Sequence, residues 1–346
     1  MDFRSDTVSW PTPEMREAMA RAVVGDDVYG EDPTVNELEA LAAEKTGMEA
    51  ALFAASGTMG NLLGILSHAT RGDAAIVGHD AHTYCYEAGG MAVLGGIVPT
   101  VLPTDEYGRM DSAMVETAVS PDDFHSPHTT LLLVENSYGS KHGYPLPPAY
   151  FADMRAIADK HGLALHMDGA RLFNAAVAQN IDAREITKHV DSVSICLSKG
   201  LCAPVGSLLC GSTEFIKKAR RNRKLVGGGM RQAGILAAAG LIALTDMVER
   251  LHEDHQHAQT LAQGLAEIPG VVIEPQNVKT NLVFFSLAEN IEINAAEIGA
   301  AMRQEANIWA GDLGGKAFRA VTHYWIGDTE IQQYLDTLRA ILKRAR

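Results

Sequence analysis

Aromatic residues are scarce in this chain, at 6%, and glycine outnumbers proline 32 to 13. With 47% hydrophobic residues, that is the balance of an Ala/Gly/Leu-rich globular α/β protein. No apolar run is long enough to cross a bilayer. The longest nearly continuous one, Gly234 to Leu244, is about half of what a spanning helix needs. The N-terminus, Met-Asp-Phe-Arg-Ser-Asp, lacks the apolar core of a secretory signal. Cysteines number four, Cys85, Cys196, Cys202 and Cys210, and have no metal-ligand spacing. Three of them fall in or beside apolar segments, where a thiol behaves as a small hydrophobe. These absences predict a soluble protein of a reducing compartment, the cytoplasm, with no metal site. Basic charge is also short. A net charge of −14 and a pI near 5.3 set up a field that repels nucleic acid and anionic membranes, so neither is expected as a partner. The one basic run, Lys217 to Lys224, reads as a solvated helix face, with anion binding by its last members as the alternative. Internal repeats, low-complexity tracts and linkers are lacking as well.

What is present is a rhythm of short apolar runs: Ala50–Ala55, Ala74–Gly78, Ile97–Leu102, Thr130–Glu135, Leu163–Asp168, Ser192–Ser198 and Ser207–Gly211. Each is bounded by Gly, Asp, Ser or Pro, and most are separated by stretches of helical period. That alternation predicts crossover helices and a largely parallel sheet buried on both faces, with any ligand outside the carboxyl ends of the strands. Ahead of the first strand, Asp32-Pro33 opens a helix on Val35, Leu38, Leu41 and Ala42, and Gly47 closes it. Residues 1–31, rich in Asp, Gly and Pro, read as an irregular N-terminal arm. After Gly227-Gly228-Gly229 the period turns helical from about Arg231 to Glu267. Ala-rich packing gives way to charge along that helix near residue 246. The expected division is therefore 1–31 arm, 32–246 large α/β domain and 247–346 small α+β domain, the last with strands at Val271–Ile273 and Asn281–Leu287 and a final helix.

Asp168 closes the run Leu-Ala-Leu-His-Met-Asp, and Lys199 follows the next run in Ser-Ile-Cys-Leu-Ser-Lys-Gly. A carboxylate at the mouth of one buried strand and a lysine just past the next are what a pyridoxal phosphate enzyme needs. The amine forms a Schiff base with the cofactor aldehyde, and the carboxylate keeps the pyridine nitrogen protonated. Taken alone, the aspartate reads as an ion pair or a helix cap and the lysine as a surface residue; together they point to the cofactor. Small residues at Ala55-Ser56-Gly57-Thr58-Met59-Gly60 follow the first strand and open a helix, a turn that lets backbone N–H groups approach a phosphate. His82, after the second strand, offers a flat ring for stacking and a nitrogen for the substrate. Arg171, in Asp-Gly-Ala-Arg, and Arg319, in Phe-Arg-Ala-Val, suit a substrate carboxylate. Arg231 follows the glycine hairpin and is placed to reach a phosphate on a neighbouring subunit. The cluster His252-Glu253-Asp254-His255-Gln256-His257 lacks His-Glu-x-x-His spacing and reads as a solvated helix surface.

Nearly end to end, the chain resembles the threonine aldolases. The residues that carry the likeness are Asp2-Phe3-Arg4-Ser5-Asp6-Thr7-Val8, Gly25-Asp26-Asp27-Val28-Tyr29-Gly30, Ser56-Gly57-Thr58 and Glu87-Ala88-Gly89-Gly90. They continue through His166-Met167-Asp168-Gly169-Ala170-Arg171, Leu197-Ser198-Lys199-Gly200-Leu201, Pro204-Val205-Gly206-Ser207 and Gly227-Gly228-Gly229-Met230-Arg231-Gln232. The resemblance implies an α/β enzyme of fold type I, aspartate aminotransferase-like, with a mostly parallel seven-stranded sheet and a smaller C-terminal α+β domain. It implies that Lys199 carries pyridoxal 5'-phosphate, that Asp168 pairs with the ring nitrogen and that His82 stacks on the ring. Gly57 and Thr58 would hold the phosphate, with Arg231 and Lys224 given by a partner subunit. Ser5, Arg171 and Arg319 would bind the substrate carboxylate. Glu87 and Tyr29 would join the substrate site, Tyr29 from the neighbour, and His125 would lie near the substrate hydroxyl. The assembly it implies is a homo-oligomer, a tetramer built from dimers with shared active sites.

One segment departs from the family. Glu135-Asn136-Ser137-Tyr138 stands where the family carries Glu-Asn-Thr-His, so Tyr138 alters the wall near the cofactor. The implied reaction is cleavage of L-threonine or L-allo-threonine to glycine and an aldehyde, with His82, His125 or a water between them taking the hydroxyl proton. The alternatives are an aldolase for aromatic substrates such as phenylserine, a β-eliminating lyase of the same fold, or a cofactor-binding protein without turnover.

Overall fold

Seven strands pair into one sheet: β1 (Ala50–Ala54), β2 (Ala74–Gly78), β3 (Val98–Leu102), β4 (Thr129–Glu135), β5 (Ala164–Asp168), β6 (Ser192–Cys196) and β7 (Ser207–Gly211). Their order is β1-β7-β6-β5-β4-β2-β3. β7 runs antiparallel to both its neighbours, and every other pair is parallel. β1 therefore points the same way as β6, and six strands, β1 to β6, present their carboxyl ends along one edge. In this computed structural model, which describes residues 1–345, the expected strands and the mostly parallel sheet are all present, with ends displaced by a residue or two.

The chain divides into two compact units, Pro11–Val248 and a second built from Met1–Trp10 with the chain from Glu249 on. In the larger unit local chemistry sets the helix ends. Asp32 accepts from the Thr34 and Val35 amides, Pro33 sits in the first turn, and Gly47 closes the helix Pro33–Thr46 at φ 65°. β2, β6 and β7 are buried along their whole length, because helices cover both faces.

The arm expected over residues 1–31 is not uniformly irregular. Thr12 caps a helix over Pro13–Arg21, whose Met15 is buried. Pro at N1 and a Glu/Arg/Ala/Met run outweigh the turn-rich composition around it. The long helix is interrupted too: Gly234–Ile242 passes into a π-helical turn, Ala243–Met247, before Leu251–Ala266. Nor is the basic run wholly solvated. On the helix Thr213–Leu225, Arg223 is buried, donating to Phe53 O at 2.7 Å and to Asp27 at 2.7 Å. A fork of donors satisfied at both ends tolerates burial.

In the smaller unit β8 (Val271–Val272), β9 (Leu282–Leu287), β10 (Gly311–Asp312) and β11 (Ala317–Val321) form an antiparallel sheet in the order β10-β11-β9-β8. The N-terminal segment lies along it, with Phe3 N–H on Trp309 O and Val321 N–H on Phe3 O, both at 2.8 Å. Phe3 is fully buried against Tyr334. Burying a side chain of that size contributes about 1.5–3 kcal/mol, enough to hold a short segment in place. The His252–His257 cluster is only partly a solvated surface. Asp254 is fully buried beside Arg250 and burial raises its carboxyl to about 7, while burial holds His255 down to about 4. Among the described residues no helix is long and apolar enough to cross a membrane.

Candidate active site

Asp168, the last residue of β5, is 3% exposed. Its backbone is pinned from both sides: Asn136 N–H donates to Asp168 O at 2.9 Å, and Gly169 N–H to Ser194 O at 2.8 Å. Its Oδ1 accepts from Ala170 N–H at 3.0 Å and its Oδ2 from Asn61 Nδ2 at 2.9 Å. The two N–H donors fix this carboxylate at the strand mouth.

Lys199 follows β6 in a turn closed by Cys202 N–H on Lys199 O at 2.9 Å. Its charge acts on both the His82 imidazole and the buried Cys196 thiol, so it shares their neighbourhood. His82 opens a single helical turn, His82–Cys85, after β2. Its Nδ1 is 2.9 Å from Glu87 Oε1 and 3.9 Å from Asp168 Oδ2. The Glu87 hydrogen bond raises the imidazole's affinity for a proton, burial and Lys199 oppose, and the Asp168 charge adds to the rise. Ligating atoms of His82, Glu87 and Asp168 all lie within 4.8 Å of one another.

Glu87 is turned inward. It is 6% exposed and its Oε1 is taken up by His82 and by Asn61 Nδ2 at 2.8 Å. Expected among the substrate-binding residues, it has its carboxylate against the His82 imidazole. Glu135 is a third buried carboxylate, one that sequence reasoning did not single out as functional. Its Oε2 accepts from His82 N–H and its Oε1 from Gly139 N–H, both at 2.9 Å, while burial and then Asp168 push it up to about 7. Arg171, 9% exposed, caps the helix Leu172–Gln179, and its guanidinium lies by the same turn: a Cβ on Gly139 would stand 3.3 Å from Glu135 Oε1 and 3.5 Å from Arg171 Nη1.

Gly57 and Thr58 begin the helix Gly57–His68, where Ser56 Oγ takes the Met59 amide at 3.1 Å. The first N–H groups of a helix have no intrahelical acceptor and face outward with the positive end of the dipole, the chemistry a phosphate asks for. Gly57 is required on packing grounds, since a Cβ there would stand 2.6 Å from Cys196 Sγ. Tyr138 is buried, with its hydroxyl donating to Asp80 Oδ1 at 2.8 Å, and Lys141 and Thr104 complete that carboxylate's partners. Its phenol is thus engaged with Asp80 and not with His82 or Asp168.

The remaining expected site residues have partners of their own. Tyr29 and Arg231 meet on one exposed patch: Arg231 Nη1 is 2.8 Å from Asp26, its guanidinium is 5.9 Å from the Tyr29 ring centre, and Tyr29 is 73% exposed. Lys224 flanks them, 3.2 Å from where a Cβ on Gly229 would be. His125 is exposed, its Nδ1 on Asp123 at 2.7 Å and its ring on Phe124. In the smaller unit Ser5 Oγ accepts from Thr7, and Arg319 donates to Arg4 O at 3.0 Å.

The donor set fits a phosphorylated pyridine aldehyde: a lysine, a carboxylate, an imidazole and helix N-terminal amides gather at one sheet edge. Comparison with known proteins agrees. The family model described as beta-eliminating lyase matches residues 2–288. The chain is 45% identical over 345 residues to a low specificity L-threonine aldolase of Escherichia coli K12, covering 99% of this chain and 100% of that protein. It is 44% identical over 344 residues to a probable low-specificity L-threonine aldolase 2 of Arabidopsis thaliana, covering 99% and 97%. Among solved structures, a Leishmania major threonine aldolase superposes with a TM-score of 0.82 at 20% identity, covering 99% of both chains, a likeness of fold.

Proposed function

The chain belongs to the beta-eliminating lyase family, among its threonine aldolases, and we propose that it cleaves L-threonine and L-allo-threonine to glycine and acetaldehyde. Its cofactor is pyridoxal 5'-phosphate. When bound, that group supplies an electron sink for the pair released as the Cα–Cβ bond breaks. The observation that carries the reading is the convergence of His82, Glu87 and Asp168 within 4.8 Å. Retro-aldol cleavage needs a base on the hydroxyl and a fixed negative charge at the ring nitrogen, and this cluster offers both.

In this reading Lys199 holds the cofactor and Asp168 faces the ring nitrogen. The amides of Gly57 and Thr58 receive the phosphate. His82 would stack on the ring, and its Nδ1–H on Glu87 leaves Nε2 for the hydroxyl proton; general bases of this kind contribute about 10²–10⁴-fold. Glu87 acts behind it, raising its basicity and fixing the tautomer. Arg171 binds the substrate carboxylate, its buried fork suited to two parallel N–H···O bonds. Carboxylate binding by Ser5 and Arg319 rests on the family resemblance alone. His125 is a second candidate for the hydroxyl proton.

Steady-state rates on L-threonine, L-allo-threonine and phenylserine test the substrate class. The expected result is glycine plus the matching aldehyde from the first two, with both faster than phenylserine; the reverse order supports an aromatic aldolase. Turnover on L-threonine unchanged in His125→Phe removes that histidine from the mechanism.

We also propose an assembly of identical subunits with shared sites, on the ground that Tyr29, Arg231 and Lys224 gather on an exposed patch built by the glycine hairpin. Mixed oligomers of an inactive Lys199→Ala chain and an inactive Arg231→Ala chain are then expected to regain part of the activity. Verified hybrids with none count against sharing.

A further inference from the structure

A single line of hydrogen bonds runs through the interior of the larger unit, and the chemistry above uses only its end. Asn61 projects from the helix Gly57–His68 and is 1% exposed. Its Nδ2 donates to Glu87 Oε1 at 2.8 Å and to Asp168 Oδ2 at 2.9 Å, and its Oδ1 lies 3.3 Å from His166 Nε2. His166 Nδ1 is 2.8 Å from Ser192 Oγ, and Ser192 Oγ is 2.7 Å from His68 Nε2. His166 and Asp168 are alternate residues of β5 and so share a face of the sheet. Ser192 stands opposite His166 in the β5–β6 register, and His68 ends the helix that carries Asn61. Gly64 makes the approach possible, since a Cβ there would stand 2.5 Å from His166 Cε1.

The chemistry of each group fixes the direction of every bond. Two carboxylates can only accept, so Asn61 must give its amide hydrogens to them and turn its oxygen to His166. An amide oxygen also only accepts, so His166 carries its hydrogen on Nε2. Burial holds His166 down to about 3 and His68 down to about 4, which leaves each neutral with one N–H at pH 7. His166 Nδ1 therefore accepts the Ser192 hydroxyl hydrogen, and Ser192 Oγ accepts from His68. Every donor points toward Glu87 and Asp168. Because an amide does not readily hand a proton from its oxygen to its nitrogen, the line orients groups and does not conduct.

We propose that Asn61 is a positioning residue for the reaction, holding the Glu87 and Asp168 carboxylates side by side with one donor to each, and that His166, Ser192 and His68 keep its amide from flipping. The proposal rests on the reading that Asp168 faces the ring nitrogen. Burial and the neighbouring Asp168 already push Glu87 upward, against the hydrogen bonds from His82 and Asn61. Without the Asn61 donors, two facing carboxyls share a proton, and Glu87 takes it. A protonated Glu87 no longer strengthens His82 as a base. The other charged and titratable groups facing that imidazole, Asp168, Lys199 and Glu135, remain in place in the variant.

The test uses full-length protein with cofactor bound and two variants, Asn61→Leu, of similar size without donors, and Ser192→Ala, which removes one hydroxyl at the far end. Asn61→Leu is expected to move the acid limb of the kcat profile up by about one unit and to lower turnover below that limb roughly tenfold, with KM little changed. Ser192→Ala shifts it the same way by less. A second readout needs no turnover. Histidine ring 15N spectra of the wild type, with and without cofactor, are expected to show His166 as the Nε2–H tautomer and a mixture in Ser192→Ala. An unmoved acid limb in Asn61→Leu, or a wild-type His166 carrying its hydrogen on Nδ1, overturns the proposal. If Asn61→Leu does not fold, the Ser192→Ala spectrum decides alone. Should Asp168→Asn keep its activity while His166 is the expected tautomer, the function reading fails and the orienting line stands.

Discussion

Lys199→Ala is expected to abolish covalent attachment of pyridoxal phosphate and to lower threonine cleavage by roughly 10³-fold or more, the scale on which loss of a covalent catalyst acts. Lys199 follows β6 in a turn whose backbone bonds do not depend on its side chain: Cys202 N–H reaches Lys199 O, and Leu197 pairs with Gly206 and Ala203. The substitution therefore leaves the fold intact. Some cofactor is expected to remain without a covalent link, held by the amides of Gly57 and Thr58 and by Asp168. Borohydride reduction followed by peptide mapping checks the assignment. The wild type is expected to carry the adduct on Lys199 and the variant none. An adduct on any other lysine contradicts the site.

Asp168→Asn has the second largest expected effect. The exchange keeps the shape and removes the charge, and an amide does not hold a pyridine nitrogen protonated. It also sets donor against donor. Ala170 N–H points at one oxygen and Asn61 Nδ2 at the other, so the new amide nitrogen must face one of them. Turnover is expected to fall by at least roughly 10²-fold, the scale for one fixed electrostatic group, while cofactor still binds. Near-normal turnover would make Asp168 a structural cap.

Much of this was legible in the sequence because it is local. Buried parallel strands read as continuous apolar runs, and Asp168 and Lys199 were found by where those runs end. Asp32-Pro33 and Gly47 marked a helix by their own backbone chemistry. What stayed hidden depends on partners far along the chain. Asn61, His166 and Ser192 look like stray polar residues in apolar stretches until sheet register sets them side by side. Arg223 is one cation among six in a basic run, and only the fold brings Asp27 and Phe53 to it. Glu135 was noticed as part of a departing segment, yet its two backbone donors, His82 and Gly139, come from separate loops. Glu87 read as a substrate contact because its motif borders the site, and only its geometry shows the carboxylate turned to His82 and Asn61. In the smaller unit β11 escaped notice because Arg319 interrupts Ala317–Val321, and β10 is two residues long.

The central claim is that this site breaks the Cα–Cβ bond of threonine, and product stoichiometry tests it most directly. Purified protein loaded with pyridoxal phosphate is incubated with L-threonine, and glycine, acetaldehyde, ammonia and keto acid are quantified together. The account predicts one glycine for each acetaldehyde, with no ammonia above background. Ammonia and a keto acid in equal amounts, with no glycine, would show elimination at the β-carbon and contradict it.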